Sequence, residues 1–386
     1  MSGTKERQDI ALLVSSLSIG GAERHMVALA NKLAERYAVH LVYIRSSREL
    51  LSDVDSECIR SVTCLEAASG IDVRAVLRLR CILQAQRVRL VLCANMFALF
   101  YAQLARWWLR QRPVVVEVFH TTVISSWRAR ILMLLYAPLL WFGAHLVFIS
   151  ANQREYWRRR GLWAPHIHLI RNGVDLEQYA CEVIDDRGRR FRGEHGIGVS
   201  DKVVAICAIL RREKAHQDLL AAVAQAHAAG YHWRVVIVGD GPMRQVIEAS
   251  VARLGLSGYV TLAGMVRDVR PALAAADVVA LVSVAVETLS IAALEAMAMA
   301  RPLLMSDIGG ASELVVDGEN GRLFPPGDVE ELARCLAWLW KVESLPALGL
   351  RSRERAEMSF SLSHMVSAYG AMIDDCLRAS NSGPQR

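Results

Sequence analysis

The sequence predicts an α/β protein of two domains that share one architecture. Three observations predict it. The chain has 386 residues, enough for two domains with sizeable cores. Its composition, 53% hydrophobic and 22% charged, is that of a globular protein. Short apolar runs of strand length alternate with helix-forming segments through both halves, without an internal sequence repeat.

In the first half, Asp9 to Ser15 reads as a strand that runs into Leu17-Ser18-Ile19-Gly20-Gly21-Ala22-Glu23-Arg24, followed by a helix from Glu23 to Arg36. Strand, glycine turn and helix open a Rossmann-like unit, although the turn is not G-x-G-x-x-G. Paired glycines let backbone N–H groups approach a phosphate, and they serve a tight turn without a ligand equally well. Val39 to Ile44 is the next strand, Val76 to Arg87 a helix, and Arg89 to Cys93 a strand. Ala98 to Arg110 is a helix carrying Phe100, Tyr101, Trp107 and Trp108 with Arg106 and Arg110. Pro113 to Phe119 is a strand with His120-Thr121-Thr122 at its C-terminal end, the edge where open α/β sheets bind ligands.

Trp127 to Phe148 approaches the roughly 20 residues of a membrane span, but Pro138, Gly143 and His145 interrupt it. It reads as a helix, Ile131 to Trp141, and then a buried strand. Two readings of that helix stand side by side: an interfacial segment with its flanking arginines and Trp, or an ordinary core helix. His166 and His168 alternate along a strand and read as structural, since two histidines without a third ligand make no zinc site.

Ile170-Arg171-Asn172-Gly173-Val174-Asp175 leads to Asp185–Gly198, a charged, glycine-containing stretch read as a surface linker. In the second half, Val203 to Ile209 is a strand, followed by Leu210-Arg211-Arg212-Glu213-Lys214-Ala215-His216 and a helix through Ala229. Arg234 to Val238 is a strand ending in Gly239-Asp240-Gly241-Pro242. Val260 to Leu262 is another, closing at Gly264-Met265-Val266; Asp268 to Ala276 is helical.

Val282 to Gly310 is the stretch on which the chain centres. Val278 to Val282 is a buried strand, Glu287 lies in the loop after it, and Ser290 caps a helix over Ile291 to Met299. Pro302 then leads into the strand Leu303 to Met305. Free N–H groups from Thr288 through Leu289 and Ser290 to Ile291 make an anion site. Glu295 stands about 7 Å along the helix from Ser290, at about 1.5 Å per residue. A diphosphate flanked by two polyols fits this layout; so does a surface helix with two solvated carboxylates.

The flanks bring a family into view. Glu287, Glu295-Ala296-Met297-Ala298, Pro302, Gly309-Gly310, Glu313, Asp317-Gly318, Asn320-Gly321 and Pro325-Pro326-Gly327-Asp328 follow one another in the order of the C-terminal signature of glycosyltransferase family 4. The Ser18-x-Gly20-Gly21-Ala22-Glu23 turn and the Asn172-Gly173-Val174-Asp175 turn resemble the same family. Two departures stand out. Thr288 and Ala300 occupy positions where many relatives have Gly, exchanges expected to narrow the donor pocket.

The resemblance implies the GT-B architecture, two Rossmann-like domains facing across a cleft, and a retaining transferase that uses a nucleoside-diphosphate sugar. It implies catalytic roles for Glu287 on the sugar, His120 against the sugar and Lys214 on the diphosphate. Donor contacts fall to Gly20, Gly21, Arg211, Arg212, Lys214, Gly264, Val266, Thr288, Leu289, Ser290 and Glu295, the last on the ribose. The family's usual arginine, five positions before the lysine, falls at Ile209, so Arg211 or Arg212 stands in for it. The expected domains are 1–180 and 200–360, with a terminal helix over 361–379 crossing back to the first domain and a disordered tail over 380–386. No D-x-D metal motif lies in the second half, so no metal and no cofactor are expected, only a UDP- or GDP-sugar as substrate. Expected partners are a glycan or lipid-linked acceptor and an anionic membrane surface, not nucleic acid. Two other readings are a GT-B sugar-nucleotide epimerase and a non-catalytic sugar-nucleotide-binding subunit of a membrane assembly.

Charge and cysteine usage point to the compartment. Residues 1–184 hold 23 Lys/Arg against 15 Asp/Glu; the remainder holds 22 against 24. A basic first half without a nucleic-acid motif suits an anionic membrane face. The eight cysteines show no C-x-x-C or zinc-like spacing. Ile10 to Val14 is too short for a signal peptide and follows mixed charges. These features give the expectation of a cytoplasmic protein, peripheral on the cytoplasmic face of the membrane.

Overall fold

The computed structural model describes residues 7–68, 70–120, 133, 136–180, 185–285 and 287–382. The chain divides into two compact units, 1–172 with 365–386, and 173–364.

The first unit is built on a sheet of strands β1 (Asp9–Val14), β2 (Ala38–Tyr43), β3 (Ser61–Cys64), β4 (Leu90–Ala94), β5 (Val114–Phe119), β6 (Ala144–Phe148) and β7 (His166–Leu169). They lie in the order β3-β2-β1-β4-β5-β6-β7 and every pairing is parallel. The second unit repeats the plan with β8 (Val203–Cys207), β9 (Arg234–Val238), β10 (Val260–Gly264), β11 (Val278–Leu281), β12 (Leu303–Ser306) and β13 (Gly321–Phe324), in the order β10-β9-β8-β11-β12-β13, again parallel.

Burial explains why these strands read as continuous apolar runs. In β8, Val203 and Ala205 join one core cluster while Val204 and Ile206 join the other. β11 divides likewise, Val279 and Leu281 against Val278 and Ala280. Strands covered by helices on both faces need apolar side chains at every position rather than at alternate ones.

Three expectations need correction. The stretch read as a linker is a helix, Asp185–Glu194. Its charges serve the outer face, where Arg189 pairs with Asp186 and Arg190 with Glu194. Gly188 and the buried Phe191 supply the inner face: a Cβ at Gly188 would stand 2.8 Å from the Ala274 carbonyl carbon. Arg192 donates to the Ala275 carbonyl at 2.9 Å and pairs with Asp277 at 3.0 Å. The terminal helix runs from Leu362 to Ser382, through the first three residues of the supposed tail; Arg89 donates to Ser380 Oγ at 3.2 Å. Residues 383–386 lie outside the described residues. Thirdly, Ala300 stands at the C-terminal end of the Ile291–Ala298 helix, with φ +52°, so a glycine preference there reflects backbone conformation and not pocket width.

Further elements were not read from the sequence: β3, whose Ser-Val-Thr-Cys is half-buried throughout, β13, a short Gly-Arg-Leu-Phe, and the Leu345–Ser359 helix capped by Ser344. From Met365 onward the terminal helix packs within the first unit, where Tyr37 Oη donates to Asp374 Oδ1 at 2.6 Å. Of the apolar Ile131–Trp141 segment, residues 131, 132, 134 and 135 lie outside the described residues; 136–141 is helical, with Tyr136 and Leu140 buried in the core and Trp141 exposed. Among those described, no helix is long and apolar enough to cross a membrane.

Candidate functional site

In the second unit the strand order reverses between β8 and β11, neighbours whose crossovers leave in opposite directions. A crevice opens at such a switch point beyond the carboxyl ends of the strands. The loop after β8 carries Lys214 and the loop after β11 carries Glu287. A backbone bond from Val284 N to the Glu213 carbonyl, 2.9 Å, ties the loops together.

Lys214 Nζ is ion-paired with Glu287 Oε1. The same oxygen accepts from Ser283 Oγ at 2.8 Å. Ser283 is buried, and Ser306 Oγ donates to its carbonyl at 2.6 Å. Glu287 is thus held through one oxygen by a cation and a hydroxyl. The Gly309-Gly310 pair completes the cradle. Gly309 adopts φ +58°, and a Cβ there would stand 2.2 Å from the Glu287 carbonyl oxygen. Gly310 N donates to the Thr288 carbonyl at 2.6 Å. Only glycine allows this approach.

Ser290 caps the Ile291–Ala298 helix, accepting from Ala293 N at 3.4 Å. Thr288 is half-buried, whereas the Leu289 side chain is buried in the core, which leaves its backbone for any ligand. Glu295, on the same helix, is 7% exposed and accepts from Tyr179 Oη at 2.8 Å. Tyr179 is placed by the turn in which Asp175 Oδ1 accepts from the backbone of Glu177 and Gln178, each at 3.0 Å. The Cys207 thiol is pushed up to about 12 by burial and by the Glu295 carboxylate.

The remaining predicted donor residues spread around this centre. Arg211 and Arg212 are exposed; Arg211 lies 4.0 Å from Glu213. Gly264 ends β10 with φ +72° and its carbonyl accepts from Gly239 N at 2.8 Å. Val266 packs against the core beneath it. His216, next to the lysine loop, is buried, and neither ring nitrogen has a hydrogen-bond partner. Burial first, and Lys214 second, pull its pKa down to about 4, so it is neutral at pH 7.

In the first unit, Gly20 and Gly21 follow β1, which with β4 forms the corresponding switch point. Gly20 is the extended residue before the Gly21–Leu33 helix and its carbonyl accepts from Arg24 N at 3.0 Å. Glu23, in the first turn, is held above the ordinary carboxylate range by burial, partly offset by a bond to its own backbone. His120 follows β5, two strands along. Its ring meets His25 edge-on at 5.2 Å, and Tyr369 lies 6.1 Å from His25. His120 Nε2, His25 Nε2 and Tyr369 Oη are buried without hydrogen-bond partners. Burial lowers the His120 pKa to about 4; burial, then His120, lowers that of His25. His120 is therefore a neutral hydrogen-bonding group at pH 7. Thr121 and Thr122 lie outside the described residues.

The structure brings together Lys214, Glu287 and the Ser290 helix end, with Glu295 along the same helix. Sequence reasoning missed Ser283, Tyr179, His216 and His25. Ser283, His216 and His25 sit inside segments already singled out, so proximity in sequence was an available signal. Tyr179, 116 residues from its partner, offered none.

Two layers of helices on a parallel sheet ordered 3-2-1-4-5-6, used twice and extended by a seventh strand in the first unit, define the GT-B class. Solved structures agree in fold: HepE from Anabaena, in complex with UDP and glucose, matches with a TM-score of 0.83 at 21% identity, covering 96% of this chain and 100% of that one. Sucrose-phosphate synthase from Thermosynechococcus elongatus matches at 0.82 and 21%, covering 97% and 100%. Residues 19–178 match the family described as Glycosyltransferase Family 4, and residues 200–341 that described as Glycosyl transferases group 1. The chain belongs to glycosyltransferase family 4. Relatives include the putative glycosyltransferase EpsD of Bacillus subtilis, 31% identical over 62% of this chain and 65% of that protein. Alpha-D-kanosaminyltransferase of Streptomyces kanamyceticus is 26% identical over 69% and 66%. These matches span slightly less than two thirds of the relatives' own length.

Proposed function

We propose that the chain transfers a glycosyl group from a UDP- or GDP-sugar to a hydroxyl acceptor with retention, in the assembly of a polysaccharide, lipopolysaccharide or glycolipid. The observation that carries this reading is the Lys214–Glu287 pair at the β8/β11 switch point, beside the capped end of the Ile291–Ala298 helix. Lys214 exchanges its carboxylate partner for the donor diphosphate. With the helix N–H groups it stabilises the charge that develops as the bond from C1 to the phosphate oxygen breaks. Glu287, kept in place by Ser283, binds a sugar hydroxyl, and Glu295, kept in place by Tyr179, binds the ribose. The acceptor oxygen attacks C1 on the face the diphosphate leaves, and the departing phosphate oxygen takes its proton. His120, neutral, serves as a hydrogen-bond partner of the sugar. No metal and no cofactor are assigned a role. The names of the relatives, which include an aminosugar transferase, and the UDP and glucose bound by HepE support the substrate class. We place the enzyme peripherally on the cytoplasmic face of a membrane, on the strength of its basic first half.

A panel of UDP- and GDP-sugars, screened by thermal stabilisation, tests the reading. A ligand at 100 times its Kd adds about 2.7 kcal/mol. The expected result is stabilisation by one nucleotide series and formation of a glycosylated acceptor. Donor isomerisation without an acceptor product would indicate an epimerase, and donor binding without turnover a non-catalytic subunit.

A further inference from the structure

Exposed large aromatic side chains gather at one edge of the first sheet. Trp107 and Trp108 precede β5, Trp141 and Phe142 precede β6, and Trp163 precedes β7; each is 54–65% exposed. β5, β6 and β7 are adjacent and parallel, with Val115 beside Ala144 and His145 beside His166. The three loops therefore emerge side by side at the amino ends of the strands. Direct contacts bear this out: the Trp107 and Phe142 rings lie 6.3 Å apart, and Arg106 donates to the Phe142 carbonyl at 2.8 Å. The same loops carry Arg106, Arg110 and Arg112, and Arg158 to Arg160. The only acid among residues 106–113, 141–143 and 155–165 is Glu155, which pairs with Arg158 and Arg159.

We infer that this edge docks on an anionic lipid surface. An aqueous surface rarely exposes so many indoles together, and such a patch marks an interaction site. Trp favours the headgroup level of a bilayer, where its ring is half apolar and its N–H is hydrated; arginine pairs with lipid phosphate. Charge settles the choice of occupant. A second copy docking through the same face would set six arginines against six in a self-complementary interface, whereas an anionic bilayer neutralises them. The edge also lies away from the chemistry. His120 is at the carboxyl end of β5, and the six residues of that strand span about 20 Å at about 3.3 Å each. A docked bilayer leaves the carboxyl edge of this sheet open.

The inference rests on the membrane part of the function proposed above, and cosedimentation of the full chain with phosphatidylcholine vesicles, with and without phosphatidylglycerol, separates the two. Binding is expected on the anionic vesicles alone, weakening with salt. Joint replacement Trp107→Ser and Trp108→Ser is expected to weaken it at least tenfold, and Arg110→Ser and Arg112→Ser about fivefold each. All these positions are exposed, and unchanged thermal stability confirms folding. Anionic binding that survives the Trp replacements would overturn the assigned surface while leaving the peripheral reading intact. Absence of binding to anionic vesicles, or equal binding to both kinds, would overturn both. Self-association abolished by the same replacements, without an effect on vesicles, would make the occupant a second copy and overturn the inference.

Discussion

Replacing Lys214 by Ala should separate catalysis from folding. The pair it forms with Glu287 is only partly buried, the two side chains being 27% and 12% exposed. Deleting one partner of a fully buried pair costs about 3–5 kcal/mol. Here solvent reaches the lysine, and Glu287 keeps its bond to Ser283 at 2.8 Å, so about 1–2 kcal/mol is expected. A domain stable by about 5–15 kcal/mol survives that. The chemical step should suffer more, since losing one preorganised contact to developing charge costs about 10²–10³ in rate. Affinity for the nucleoside diphosphate should fall too, because a charge-assisted bond worth about 1.5–3 kcal/mol is gone. Glu287→Gln provides the contrast: Gln can still accept from Ser283, so diphosphate affinity should hold while kcat falls. Urea denaturation, calorimetric titration with the diphosphate and steady-state rates measure the three quantities. Near-normal kcat in Lys214→Ala, or equal loss of diphosphate affinity in both variants, would refute the assigned roles.

Tyr179→Phe removes the hydroxyl that holds Glu295 and should weaken nucleoside diphosphate binding about tenfold with kcat nearly unchanged. In a Glu295→Gln background the same change should add little, and full additivity in titration would show that the two act separately. Ala300→Gly should stabilise the fold by about 0.5–1 kcal/mol in urea. The left-handed conformation costs a non-glycine residue about 1–2 kcal/mol, and glycine's greater unfolded-state entropy returns part of it; a lower denaturation midpoint would contradict this. Glu117, in the middle of β5, is wholly buried, and neither carboxyl oxygen has an aligned hydrogen bond. Burial holds its pKa well above the usual range, only partly offset by the nearby Tyr136 hydroxyl. The folded chain keeps a proton that the unfolded chain releases above about pH 4.3, so stability falls as pH rises from there toward the folded pKa. The stability advantage of Glu117→Gln over the parent should therefore grow between pH 5 and 8, and a pH-independent difference would sink the argument.

The two sheets were legible because strands buried on both faces spell themselves out. Val-Val-Ala-Ile-Cys in β8 and Val-Val-Ala-Leu in β11 have no other reading between glycine turns and helices. β3 was hidden because an edge strand with half-exposed faces needs no apolar run. The Asp185–Glu194 helix was hidden for a different reason. Its packing face is made of Gly188, Phe191 and the stem of Arg192, and one apolar side chain beside a close backbone contact with Ala274 leaves no hydrophobic period to detect.

The site divides along the same line between local and distant determinants. Glu287, Ser290, Glu295 and the Gly309-Gly310 pair lie within 24 residues, and each is fixed by local geometry: a strand end, a cap, a helix face, a positive φ. Lys214 came from its resemblance to a family position; its pairing with Glu287, 73 residues away, became visible only through the neighbouring positions of β8 and β11. Tyr179 is the extreme case, since nothing near it in sequence demands a hydroxyl. What demands it is a carboxylate 7% exposed, and a buried acceptor left unpaired costs about 1–3 kcal/mol. The donor-contacting residues can thus be read from the chain, while those that hold them in place follow only from knowing which strands are neighbours. Substitutions at Ser283 and Tyr179 are accordingly where activity should change without any loss of the family signature.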